Sequence, residues 1–116
     1  MSDITRLDIG TRMSQAVVHG NTVYLAGQCG TAFAPIADQT REALHRIEDL
    51  LNRAGSDKTR LLTFTIWLAD IADYDTVNAI WDAWISPGTA PARACCQAPL
   101  GGEGYGIEII CTAAQS

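Results

Sequence analysis

The sequence predicts one α+β domain over residues 1–116, a six-stranded, mainly antiparallel or mixed sheet with two helices on one face. Three observations carry that reading. Two stretches repeat apolar residues at steps of three and four, whereas six others are β-branched or alternating. Their order is strand–strand–strand–helix–strand–helix–strand–strand, with no internal repeat, linker or low-complexity segment. A length of 116 residues, 47% apolar, suits one modest core.

The elements follow in order. Asp3 to Ile9 is a short strand closed by Gly10, and Arg12 to His19 is the next. Gly20-Asn21 signals a tight turn, so Thr22 to Gln28 forms the second arm of a hairpin. Gly27, near the end of that arm, marks a bulge or a close approach by another group. Cys29 to Ala34 reads as a loop. Ala43, Leu44, Ile47, Leu50, Leu51 and Ala54 then make the apolar stripe of the clearest helix. Pro35 and Asp38 suit its start and Gly55 its stop, and Glu42–Arg46 and Asp49–Arg53 are favourably ordered pairs on its outer face. Thr59 to Ala69 is apolar on both faces, with Leu62, Phe64, Ile66 and Leu68 on one side and Leu61 and Trp67 on the other. Such a strand is central and covered twice, by helices and by a second copy of the chain. Asp70 or Asp73 caps the second helix, whose stripe runs Tyr74, Val77, Trp81 and Trp84 and ends at Pro87-Gly88. That tryptophan pair reads as core packing rather than a ligand cage. The last two strands, Pro91 to Gln97 and Gly106 to Cys111, flank a glycine-rich loop expected to be mobile.

Composition excludes several function classes. A net charge of −5, with 8 basic residues, disfavours binding to a phosphate backbone. Cys29, Cys95, Cys96 and Cys111 form no C-x-x-C pair, and neither His19 nor His45 is near one, so no metal site is expected. In a strand Cys95 and Cys96 face opposite ways and cannot serve one site. No apolar run approaches the ~20 residues of a membrane span, and Met1 to Arg6 has no signal-peptide pattern; the expected compartment is the cytoplasm.

The candidate chemistry lies in the last two strands, which are expected to be neighbours in the sheet. Arg93 stands among small residues and Glu108 is the one charge in an apolar run. Charges in half-buried strands need a partner or a task. Two readings stay open on residue types alone: a salt bridge across strands or subunits, or a site that pairs a carboxylate-binding arginine with a water-handling acid.

Val23-Tyr24-Leu25-Ala26-Gly27-Gln28, Asp75-Thr76-Val77-Asn78-Ala79, Pro91-Ala92-Arg93-Ala94-Cys95 and Ile107-Glu108-Ile109 occur in the order found in the RidA family. That family is also called YjgF and was formerly labelled L-PSP endoribonuclease. The sequence resembles it from about Arg12 onward. The resemblance implies a chorismate-mutase-like (YjgF-like) fold, a homotrimer, and sites in clefts between subunits. It implies hydrolysis of reactive enamines and imines, such as 2-aminoacrylate, to 2-keto acids and ammonia, without metal or organic cofactor. It maps the carboxylate-binding arginine to Arg93, a backbone contact to Cys95, the water-positioning acid to Glu108 and a pocket-lining glycine to Gly27. Met13 and Ser14 stand where many deaminase members carry a pocket-lining proline-tyrosine pair. Cys29 replaces an aliphatic residue. The missing tyrosine supports an alternative: a trimer that binds a small carboxylate or a protein partner without turnover. A ribonuclease is the third reading; the acidic charge and the want of a histidine pair oppose it.

Overall fold

The computed structural model describes residues 3–116; Met1 and Ser2, at the head of the N-terminal stretch read above, lie outside them. Six strands and two helices form, in the expected order: β1 (Ile4–Ile9), β2 (Ser14–His19), β3 (Thr22–Leu25), α1 (Ile36–Arg53), β4 (Leu61–Leu68), α2 (Tyr74–Trp84), β5 (Ala92–Gln97) and β6 (Ile107–Ala114). They build one six-stranded sheet in the order β1-β2-β3-β6-β4-β5. All pairings are antiparallel except β4 with β5. Parallel neighbours need a crossover, and α2 supplies it. That is why α2 lies over the β5 edge.

Both helices pack on one sheet face. Ala43, Leu44, Ile47, Leu50 and Leu51 of α1 and Val77 and Trp81 of α2 are buried against Phe64, Ile66, Ile107, Ile109 and Cys111. Gly55, at φ 82°, ends α1 in the left-handed region where glycine carries no Cβ penalty. Asp70 accepts from the Ala72 N–H and caps a short 3₁₀ turn, while Asp73 sits at the start of α2 without a side-chain cap bond. The tryptophans are packing, as expected. The Trp81 ring lies 4.5 Å from Phe64, and Trp84 lies 5.6 Å from Trp81.

Two readings of the strands need correction. Leu62 does not join Phe64 on the core face. The β4–β6 register slips between Leu61 and Thr63, and this bulge buries Leu61 while leaving Leu62 46% exposed. And Arg93 and Glu108 are not on neighbouring strands, because β4 inserts between β5 and β6. The glycine-rich loop is also tied down. Gln39, buried at the start of α1, donates to the carbonyls of Ala34 (2.8 Å) and Gly104 (3.0 Å) and accepts from Gly106 N–H (2.9 Å).

Among the described residues nothing covers the second sheet face. Tyr24, Thr65, Trp67, Ile110 and Thr112 stand on it, half-buried or exposed. No helix among the described residues is long and apolar enough to cross a membrane.

Candidate functional site

Strand parity places the two charged residues. In β4, Phe64, Ile66 and Leu68 point to the helices, and Phe64 pairs with Arg93 and Ile66 with Cys95. Paired residues share a face. Arg93 and Cys95 therefore point to the helix side. In β6 the buried residues are Ile107, Ile109, Cys111 and Ala113, so Glu108 points the other way, level with Trp67. Within one chain Arg93 and Glu108 lie on opposite faces of the sheet and on strands that do not touch. An intrachain salt bridge between them is excluded by this geometry.

Around Arg93 the chain forms a recess of about 350 Å³ lined by Tyr74, Asn78, Asp82, Arg93, Ala94 and Cys95. The guanidinium lies 5.3 Å from the centre of the Trp81 ring and donates through Nη2 to Asn78 Oδ1. The ring face and the amide fix the plane of the fork and leave its other N–H groups free for a carboxylate. β5 is an edge strand, so some of its backbone N–H groups also point away from the sheet. Burial raises the Cys95 thiol, with the Arg93 charge opposing, so a protonated thiol sits beside the guanidinium. Sequence reading missed Tyr74, Asn78 and Asp82 as pocket residues. Their spacing of four along α2 is the signal that could have found them.

Glu108 stands in a different wall. A Cβ built on Gly27 would lie 2.9 Å from Glu108 Cδ and closer still to Oε2. The glycine is thus a close approach rather than mere punctuation. Cys29 Sγ donates to Glu108 Oε1 at 3.8 Å. Burial, then the Glu108 charge, push the Cys29 thiol up to about 11. Ser14 opens β2 opposite Ile9, half-buried and with the parity of the buried Ala16 and Val18, so it turns to the helix side. Met13 precedes it, 54% exposed, its carbonyl accepting from Gly10 N–H at 2.7 Å. Gly27, Cys29 and Glu108 thus form one group, and Arg93 with Cys95 another.

The family model described as Endoribonuclease L-PSP matches residues 4–115. The chain belongs to this family, also known as YjgF. The chain is 40% identical to the RutC family protein YoaB of Escherichia coli over 111 residues, covering 96% of this chain and 97% of YoaB. It is 37% identical over 109 residues to the 2-iminobutanoate/2-iminopropanoate deaminase of Rattus norvegicus, covering 88% and 79% of the two chains. The crystal structure of NMB1025, a YjgF protein from Neisseria meningitidis, superposes with a TM-score of 0.95 at 36% identity, covering 98% of this chain and 96% of that one. The α+β fold is therefore that of the YjgF family.

Proposed function

We propose that the chain assembles as a cyclic homotrimer in which the Arg93 recess of one copy faces the Glu108 wall of the next, and that the joined cleft hydrolyses small 2-imino acids. One observation carries the reading: an arginine held in a recess and a carboxylate held beside a bare glycine occur in one chain, on opposite faces of its sheet. The open apolar sheet face gives the copies a surface to bury. The relatives named as imine deaminases supply the reaction class.

Arg93 fixes the substrate carboxylate, and a backbone N–H near Cys95 holds its second oxygen. The iminium carbon then faces Glu108 of the adjoining copy. Glu108 takes a proton from water as the water oxygen bonds to that carbon. The proton passes to nitrogen, the C–N bond breaks as Glu108 takes the remaining hydroxyl proton, ammonia leaves and a 2-keto acid remains. Met13 and Ser14 border the cleft where a tyrosine is absent, which favours compact substrates held chiefly by the clamp. This reading places the protein in the cytoplasm, where such intermediates arise.

The test is release of ammonia and keto acid from enzymatically generated 2-iminopropanoate. Arg93→Ala and Glu108→Gln each abolish turnover. Mixing and reassembling the two variants restores about a quarter of the sites, because a cyclic assembly then pairs an intact arginine with an intact glutamate at random. Wild-type rates at the spontaneous background overturn the deaminase; dead mixtures overturn the shared cleft. A second reading, carboxylate binding without turnover, draws on the missing tyrosine. Saturable binding of 2-ketobutyrate that Arg93→Ala abolishes, with no imine turnover, identifies it.

A further inference from the structure

After β3 the chain returns to β6 through a single bridge. Gln28 N–H donates to Ile109 O at 2.8 Å, and Ile109 N–H donates back to Gln28 O at 2.9 Å. This mutual pair sets the register of its neighbours, so Cys29 stands opposite Glu108. Gln28 and Ile109 are 6% and 1% exposed and point to the core, which turns Gly27, Cys29 and Glu108 to the open face together. The contacts agree. Oε1 of Glu108 meets the Cys29 thiol at 3.8 Å, while Oε2 lies against the bare backbone of Gly27. The two oxygens of one carboxylate therefore have different neighbours. One faces a donor, and the other is held where no side chain competes for it.

We propose that Cys29 is a positioning residue, whose thiol donates a hydrogen bond to Glu108 Oε1 and so leaves Oε2, above Gly27, as the oxygen that handles water. The inference rests on the deaminase reading of Glu108 and adds a residue to it. The S–H hydrogen stays on sulfur throughout. The water oxygen bonds to the imine carbon, one water proton goes to Oε2 and on to the departing nitrogen, and the remaining hydroxyl proton passes to Oε2 as the C–N bond breaks. No oxidant or co-reactant enters. Because burial and the adjacent carboxylate hold the thiol protonated near neutral pH, Cys29 acts as a donor and not as a nucleophile toward an electrophilic enamine. An aliphatic side chain at this position would leave Oε1 without that donor.

Two measurements test it. Cys29→Ala lowers kcat for 2-iminopropanoate by roughly 3–10-fold, the worth of one net hydrogen bond, with KM unchanged. Cys29→Ser keeps a donor and restores kcat. A Cys29→Ala enzyme with wild-type kcat, or a Cys29→Ser enzyme no better than Cys29→Ala, overturns the proposal. The second readout needs no turnover. The pH midpoint of Cys29 alkylation, read by peptide mass spectrometry, falls in Glu108→Gln because a neighbouring negative charge is gone. An unmoved midpoint overturns the pairing. A wild type that turns over no imine, with a midpoint that still moves, sinks the deaminase reading alone and upholds the contact.

Discussion

Gly27→Ala separates the site from the fold. The added methyl would sit 2.9 Å from Glu108 Cδ, against an ordinary carbon contact of about 3.5–4.0 Å. The carboxyl carbon must therefore retreat by roughly 0.6 Å or more, and Oε2 further. The backbone accepts alanine, because Gly27 is not among the positive-φ residues. Only the tip of a flexible side chain obstructs it, so the strain is a rotamer adjustment of about 0.5–1.5 kcal/mol. On stability that is a shift of roughly 2–6 °C in melting temperature at fixed protein concentration. On catalysis the effect is larger. A group misplaced by about 1 Å costs on the order of 10²-fold in rate. Gly30→Ala is the reverse case. Its methyl would meet Gln39 Cα and O at 2.6 Å, which is backbone of α1 and cannot swing away. Overpacking there costs about 1–3 kcal/mol and loosens the loop that Gln39 anchors. The assay pairs ammonia release with thermal melting of both variants. If Gly27→Ala keeps wild-type rates, the position of Glu108 does not govern turnover. If it unfolds like Gly30→Ala, the gap belongs to the core.

Three further outcomes follow from the same contacts. Gln39→Leu strips the Ala34 and Gly104 carbonyls and the Gly106 N–H of their shared partner, destabilises the fold by about 2–3 kcal/mol in urea melts and exposes Gly101–Gly104 to protease; an unchanged midpoint refutes the anchoring role. Arg93→Lys keeps the charge but loses the planar fork over Trp81, so KM rises by roughly 10–100-fold with a smaller fall in kcat, and an unchanged KM refutes the clamp. Burial pushes the Cys111 thiol from 9 up to about 12, so its contribution is intact below pH 9 and is lost as pH climbs toward 12, the unfolded thiol ionising first. The stability gap between wild type and Cys111→Ala under reducing conditions shrinks by about 1 kcal/mol between pH 8 and pH 10, and a constant gap refutes the shift.

The helices, the β2–β3 turn and the buried alternation of β6 were legible because each is set by local spacing. The face of β4 was misread at its start. Leu61-Leu62-Thr63 looks like plain alternation, and nothing in those residue types announces the extra residue of a bulge. The glycine-rich loop reads as mobile because its anchor, Gln39, lies 67 residues away from Gly106 in the chain. Gly27 was legible as a possible close approach, but not what approaches it, since Glu108 arrives from β6. Arg93 and Glu108 stood out as charges in apolar company. Which strands they shared, and which faces, depended on register.

That dependence bears on function. Parity within a strand can be read from sequence, but the relation between strands needs the pairing, here Phe64 with Arg93 and Trp67 with Glu108. Phe64 and Trp67 are an odd number of residues apart on β4, so their partners face opposite ways. No side-chain rotamer carries Arg93 across a sheet. A chain with both groups on one face could act alone; this one cannot bring them to one substrate without a second copy. On the deaminase reading proposed above, activity then follows assembly. The expected outcome is a specific activity that stays constant at high protein concentration and falls on dilution through the range where light scattering shows the proposed trimer dissociating, with saturating 2-ketobutyrate moving both transitions down together because it would bridge the two walls. Specific activity that stays level while the assembly comes apart would place the chemistry within one chain, against the geometry of its sheet.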